Sequence, residues 1–206
     1  MTAKRKYELK RRAESQAATR QRIVEAAVGL HATVGPAHTT VMDIAKSAGV
    51  ERVTVYRHFP DELALFSACS AHYRAQNPLP EISAWRVIDD PVERLRVALS
   101  ALYAYYDRTA PMLQNVLRDA ETMPVIWQAT EPRRRYVADI RDLLSRGWSA
   151  RGRQRQRLLA ALALTLDFHT WKRLVLDEKV KPDEAVQMMI GLVRHTVHHE
   201  LDTVTG

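Results

Sequence analysis

The stretch TTVMDIAKSAGVERVTVYRHF, Thr39 to Phe59, holds two short helical patterns joined at one glycine. Thr40 is a good N-cap, and Asp43 three residues later completes a capping box with a shorter acid than usual. The spacing predicts a helix over 41–48 that turns Val41, Ile44, Ala45 and Ala48 inward. Gly49 ends it, because only glycine reaches left-handed backbone angles without strain. A second helix runs from about Glu51 to His58, with Val50, Val55 and Phe59 facing a core. Arg52, Thr54, Tyr56 and His58 are left outside. Helix, tight turn and short helix make a helix-turn-helix, which places its second helix where it can enter a major groove. Pro60 breaks the chain, and Asp61 caps a following helix to about Gln76.

The charge distribution agrees. The formal net charge is +7, from 31 Lys and Arg against 24 Asp and Glu. Residues 1–60 hold eleven bases and five acids; the rest is almost neutral. A positive end on a neutral body suits a polyanionic partner. A solubilising tail would account for residues 1–12 but not for bases within helices.

Residues 1–16 read as a basic, disordered arm. A first helix is expected over Thr19–Val34, with Ile23, Ala26, Ala27, Leu30 and Val34 at helical spacing, stopped by Gly35-Pro36. Domains are placed at 17–76, the helix-turn-helix domain, and 77–206, a helical body, with the proline-containing segment 77–91 as linker. In the body, residues 91–109 bury Leu95, Leu99, Leu102 and Tyr106, and a short helix covers 111–120. Pro124 and Pro132 separate 123–130 from 132–148. The segment 153–176 reads as one long helix, apolar nearly all round between Leu158 and Leu166, so it needs cover on several sides. A last helix runs from Pro182 to about Leu201. No β pattern stands out, so the fold class is all-α.

These motifs resemble TetR-type transcriptional regulators. The resemblance rests on TRQRIVEAAVGL, HTTVMDIAKSAGV and VTVYRHFP and the helix that follows, covering residues 19–70. It implies an all-α homodimer of about nine helices per subunit. An N-terminal DNA-binding domain would read a near-palindromic operator, and a C-terminal domain would bind a small-molecule effector and dimerise. Carried onto this chain, it assigns DNA contacts to Thr39, Thr40, Arg52, Thr54, Tyr56 and His58. Thr40, Tyr56 and His58 are phosphate candidates, and Arg52 and Thr54 base readers. Glu51-Arg52-Val53 departs from the family's frequent Ser-Lys-Gly, and Glu62 stands where a lysine is common. The resemblance also suggests an effector pocket drawn from Tyr103, Tyr106, Met112, Trp127, Phe168, His169 and Trp171, against the alternative of plain core. It suggests a dimer interface using Leu159, Leu162, Leu166, Met189, Val193 and Val197.

Other constellations carry less. His195, His198 and His199 have metal-compatible spacing but no evident Cys or carboxylate partner, so no metal or other cofactor is expected. Arg133–Arg135 reads as a solvated face. The single cysteine, Cys69, lies in an apolar run and reads as core. There is no nucleophile elbow, phosphate-binding glycine loop or zinc pattern, which argues against an enzyme. Nothing resembles a membrane span or signal peptide, so a cytoplasmic protein is expected. The alternative to a ligand-responsive repressor is an effector-independent architectural DNA-binding protein.

Overall fold

The computed structural model describes residues 3–198, with side chains from 6 to 197. Among them are eleven α-helices and no strand. In chain order they are α1 Ala3–Thr33, α2 Val41–Ala48, α3 Arg52–His58, α4 Glu62–Gln76, α5 Ser83–Arg86, α6 Pro91–Ala120, α7 Pro124–Ala129, α8 Glu131–Leu144, α9 Gly152–Thr165, α10 Phe168–Trp171 and α11 Pro182–His198. The contacts divide the chain into two units. One comprises residues 1–78 and 111–131, the other 79–110 and 132–206. Residues 111–131, which the sequence reading assigned to the second domain, therefore group with the helix-turn-helix.

In the first unit, α1 continues through residues where a disordered arm was expected. Between Ala3 and Gln16 there is neither glycine nor proline. Lys10 and Glu14 pair at 3.8 Å one turn apart. From residue 6 to residue 22 the helix is almost wholly exposed, so local propensity and such i,i+4 pairs, not packing, hold it. Burial begins at Ile23 and Val24. Val34, assigned to the inner face, lies beyond the last turn and is exposed. Gly35 follows at φ 94°. A Cβ there would collide with Arg118 and lie 2.7 Å from Asp119 Oδ2, so glycine is required both by angle and by space.

In the second unit, Leu95, Leu99, Leu102 and Tyr106 are buried on α6 as their spacing predicts. The proline-containing segment 77–91 is not a bare linker. It forms α5 and buries Trp85. The Tyr136 hydroxyl donates to Pro80 O at 2.6 Å. The buried Arg94 guanidinium donates to the carbonyls of Ile88, Asp89 and Arg146 at 2.6–3.1 Å. Those carbonyls have no helical partner, and a buried carbonyl without one is costly. Pro111 lies inside α6 instead of starting a new helix. An interior proline sacrifices one backbone bond, at a cost of about 3 kcal/mol.

The long helix expected over 153–176 is broken. α9 ends at Thr165, and Asp167 takes an extended conformation (φ −76°, ψ 135°). Its carboxylate accepts the Thr170 N–H at 2.8 Å, capping α10. The break frees carbonyls that a continuous helix would have satisfied. Two buried tyrosines from α6 take them: Tyr106 Oη donates to Leu166 O at 2.6 Å, and Tyr103 Oη to Thr165 O at 3.1 Å. Burial pushes both phenols up, Tyr106 to about 12, so both remain donors. After α10 the helix widens into a π turn over Lys172–Asp177. This break and α5 raise the count above the expected nine. Leu201 and His199, assigned to the last helix, lie outside the described residues.

A Tyr106→Phe protein leaves the Leu166 carbonyl buried and unpaired. Urea denaturation should show a loss of about 1–3 kcal/mol.

Candidate nucleic-acid interface

α3 has only seven residues, too few to be stable alone. Its placement depends on the apolar cluster beneath it. Ile23, Val24 and Ala27 of α1, Ile44, Ala45 and Ala48 of α2, Val55 and Phe59, and Leu65 and Cys69 of α4 are all buried together. Three alanines in this set let the helices approach closely. Burial raises the Cys69 thiol to about 12, so it is an inert core group.

The turn geometry then aims α3. Thr40 Oγ1 accepts the Asp43 N–H at 3.1 Å, and Asp43 Oδ2 accepts the Thr40 N–H at 3.0 Å. The two bonds form the capping box anticipated from sequence. The Thr40 hydroxyl, donating to Asp43 Oδ2 at 2.6 Å, and then the Thr40 N–H hold the Asp43 carboxyl below its ordinary range. Gly49 closes α2 at φ 63°, ψ 43°, with Val50 N–H bonded to Ala45 O at 3.0 Å. Asp61 caps α4 by accepting the Ala64 N–H at 2.7 Å.

With Val55 and Phe59 buried, the opposite face of α3 points outward. Arg52 and Tyr56 are exposed, Thr54 and His58 half-buried. Arg52 Nη2 donates to Tyr56 Oη at 3.1 Å, and its guanidinium carbon lies 5.4 Å from the Tyr56 ring centroid. The two side chains thus hold each other. Desolvation, then Arg57 and Arg20, lower the His58 pKa; it is a neutral hydrogen-bonding group near neutrality, not a cation. Val53 is 71% exposed, so the departure from glycine there places apolar bulk outward. Thr39, Thr40, Arg52 and Tyr56 line one groove of about 410 Å³, together with Glu62. Thr54 and His58 do not line it. Arg20, passed over in the sequence reading, lies 4.6 Å from the Phe59 ring centroid. Its signal was the basic spacing of α1 ahead of an aromatic.

A second feature was also missed. Asn115, Arg118 and Asp119 hold the end of α1 and the loop before α2. Asn115 Nδ2 donates to His31 O and Ala32 O, both at 3.1 Å. Asp119 Oδ2 accepts the Ala37 N–H at 2.9 Å, and its other oxygen takes Arg118 Nε at 2.6 Å. Burial pushes the Asp119 carboxyl up, but Arg118 and the Ala37 N–H outweigh it and leave its pKa lowered. Beside this clamp His31 is buried, 3% exposed, with its ring 5.2 Å from that of Phe66. Desolvation depresses it to about 4, against a smaller opposing pull from Asp119. Only Gly35-Pro36 hinted that this loop was anchored.

The other assigned residues divide. Tyr103, Tyr106, Phe168 and Trp171 form one buried aromatic cluster in the second unit, the Tyr106 ring lying 5.5 Å from Phe168 and 5.8 Å from Trp171. His169 is exposed beside Phe168. Met112 and Trp127 group with the other unit, and Trp127 is 55% exposed. The residues assigned to a dimer interface lie on or beside α9 and α11. Leu162, Leu166, Met189, Val193 and Val197 are buried within the subunit, and Leu159 is half-buried, because α9 and α11 turn these faces inward in the single chain. Ala160, Ala163 and Leu164 of α9, and Met188, Gly191 and His195 of α11, are exposed instead. Among the described residues no cluster of His, Cys, Asp or Glu could hold a metal. Likewise, no described helix is long and apolar enough to cross a membrane.

Comparison with known proteins agrees with this geometry. Residues 23–69 match the family described as bacterial regulatory proteins, tetR family. Residues 23–69 are thus similar to the helix-turn-helix domain of TetR-family transcriptional regulators. TetR-family members are non-enzymatic DNA-binding regulators. Solved structures extend the likeness to the whole fold. NalD, the secondary repressor of the MexAB-OprM multidrug efflux pump in Pseudomonas aeruginosa, is 24% identical, with a TM-score of 0.62 over 89% of this chain and 98% of that one. A TetR-like transcriptional regulator from Rhodococcus sp. RHA1 is 18% identical, with 0.60 over 86% and 94%. The TetR-family regulator PfmR from Thermus thermophilus is 19% identical, with 0.57 over 86% and 94%. At these identities the likeness is one of fold. A comparison with curated proteins finds no significant match.

Two measurements probe this domain. Thr40→Ala should lower stability by about 1 kcal/mol through loss of the cap. His31 has a folded pKa below its unfolded value, so the unfolded chain binds the extra proton. Its contribution is complete above about pH 6.5 and is lost as pH falls toward about 4, by up to about 3 kcal/mol. Urea midpoints measured from pH 7 to 4.5 should fall less steeply in His31→Leu than in the unsubstituted protein.

Proposed function

We propose that the protein is a transcriptional repressor that binds a near-palindromic operator as a homodimer and leaves it when a small molecule binds. The observation that carries the DNA reading is the split of α3. Val55 and Phe59 are buried while Arg52 and Tyr56, bonded to one another, stand out beside the capped N-terminus of α2. Tyr56 and Thr40 contact phosphates, with Thr39 and His58 beside them. Arg52 reads a guanine edge, helped by Thr54. Repression is favoured by the similar fold of NalD, described as a repressor.

The dimer reading rests on the outward surface of α9 and α11. Leu164 and Met188 are about half exposed, at 49% and 50%, flanked by small Ala160, Ala163 and Gly191. Two half-sites one turn apart suit a two-fold protein. The effector reading is supported by Trp171, whose buried indole Nε1 has no hydrogen-bond partner among the described residues and can donate to a ligand.

One observation favours the architectural alternative. The exposed, basic α1 extension, with Lys6, Lys10, Arg11 and Arg12, would strengthen binding without sequence preference. Selection of bound fragments from random duplexes at two salt concentrations separates the readings. An inverted repeat that survives higher salt is the expected result; binding that enriches nothing and collapses with salt sinks the operator reading. On the selected site, Tyr56→Phe should weaken all sequences alike. Arg52→Ala should relax preference at one base position by about 1–3 kcal/mol.

A further inference from the structure

The groove beside α3 reaches a residue that the DNA reading does not use. Its walls include Pro36, Ile44, Leu65, Phe66 and Met123, and His31 also lines it. His31 Nε2 is buried and has no hydrogen-bond partner among the described residues. A buried polar nitrogen left unpaired carries a penalty of about 1–3 kcal/mol, which a bound hydrogen-bonding group would remove. The volume, about 410 Å³, is in the range of small-molecule sites.

We infer that this groove, within the DNA-binding domain itself, is a binding subsite for a small hydroxylated aromatic acid. Each part of that description follows from a wall of the groove. The apolar side chains and the Phe66 ring accept an aromatic body. A hydroxyl suits His31, because it both donates and accepts and so matches either imidazole tautomer. His31 is neutral at pH 7, so that contact calls for no charge. A carboxylate suits Arg52, whose guanidinium donates in the free protein to the neutral Tyr56 hydroxyl at 3.1 Å. A charge-assisted pair is roughly twice as strong as a neutral bond. Glu62 on the same lining repels the acid from its side and leaves Arg52 as its anchor.

The consequence is competition. Thr40, Arg52 and Tyr56 line the groove and are the proposed DNA contacts. An occupant that draws Arg52 from Tyr56 disarms the reading face directly, with no change elsewhere in the molecule. The subsite stands by itself; only the competition rests on the DNA reading.

The probe is 6-hydroxy-2-naphthoate added to the full chain at pH 7, with histidine ¹⁵N-labelled so that the His31 imidazole is observed directly. The expected result is a saturable shift of the His31 Nε2 resonance and a matching rise in Tm. Affinity should drop about tenfold in His31→Phe, by loss of one buried hydrogen bond. Arg52→Gln, an exposed change that leaves the core intact, should weaken the naphthoate but not 2-naphthol. Ala37→Trp, at an exposed lining position, should block binding. No His31 shift at millimolar probe overturns the subsite, and so does undiminished binding in Ala37→Trp. Duplex binding is measured separately. Lower DNA affinity with the groove filled is expected; unchanged affinity overturns the competition. A chain that takes the probe but binds no duplex at all would sink the operator reading while leaving the subsite in place.

Discussion

A seven-residue helix cannot hold itself in place, and the proposed DNA-reading face depends on one. α3 is positioned by two buried side chains, Val55 and Phe59, set into a cluster shared by α1, α2 and α4. Everything around it serves that placement. Ala27, Ala45 and Ala48 keep the surrounding helices close, and the Thr40–Asp43 box and Gly49 set the entry and exit of α2. The Asn115–Arg118–Asp119 clamp fixes the loop that leads into it. The outward direction of Arg52 and Tyr56 is thus a consequence of burial elsewhere.

The second unit solves a different problem. Its central helical segment breaks at Asp167, where an uninterrupted helix would have been simpler. The break exposes backbone carbonyls inside an apolar cluster, and two tyrosine hydroxyls answer them. The Tyr106 ring also packs with Phe168 and Trp171, and the Tyr103 ring stacks on Tyr106. One pair of side chains thus supplies both apolar area and polar satisfaction, which explains why tyrosine and not phenylalanine occupies both sites. Trp171 remains the exception, with a buried donor and no acceptor among the described residues.

Among the described residues, two buried nitrogens lack a hydrogen-bond partner, His31 Nε2 and Trp171 Nε1, and they lie in different units. In a folded protein such groups are few, because each forgoes a hydrogen bond it would have made in water. They are the places where local packing has not closed on itself. In the first unit the orphan lines a groove that Thr40, Arg52 and Tyr56 also line, so a ligand that satisfies it meets the proposed DNA contacts as well.

Local pattern by itself determined much of the first unit. The capping box at Thr40, the left-handed Gly49, the bounds of α2 and the cap at Asp61 all depend on residues within a few positions of one another, so they were legible. The buried face of α6 was legible for the same reason: its period matches one helix. What only the tertiary structure decided depends on partners far along the chain. The break at Asp167 exists because tyrosines some sixty positions earlier accept its consequences. The loop after α1 is held by residues more than eighty positions away. His31 carries no local signal, and only the fold sets the Phe66 ring beside it. The apolar faces of α9 and α11 were visible, but periodicity shows only that a face is buried. Which neighbour buries it, the same subunit or a second one, is a matter of how the helices pack.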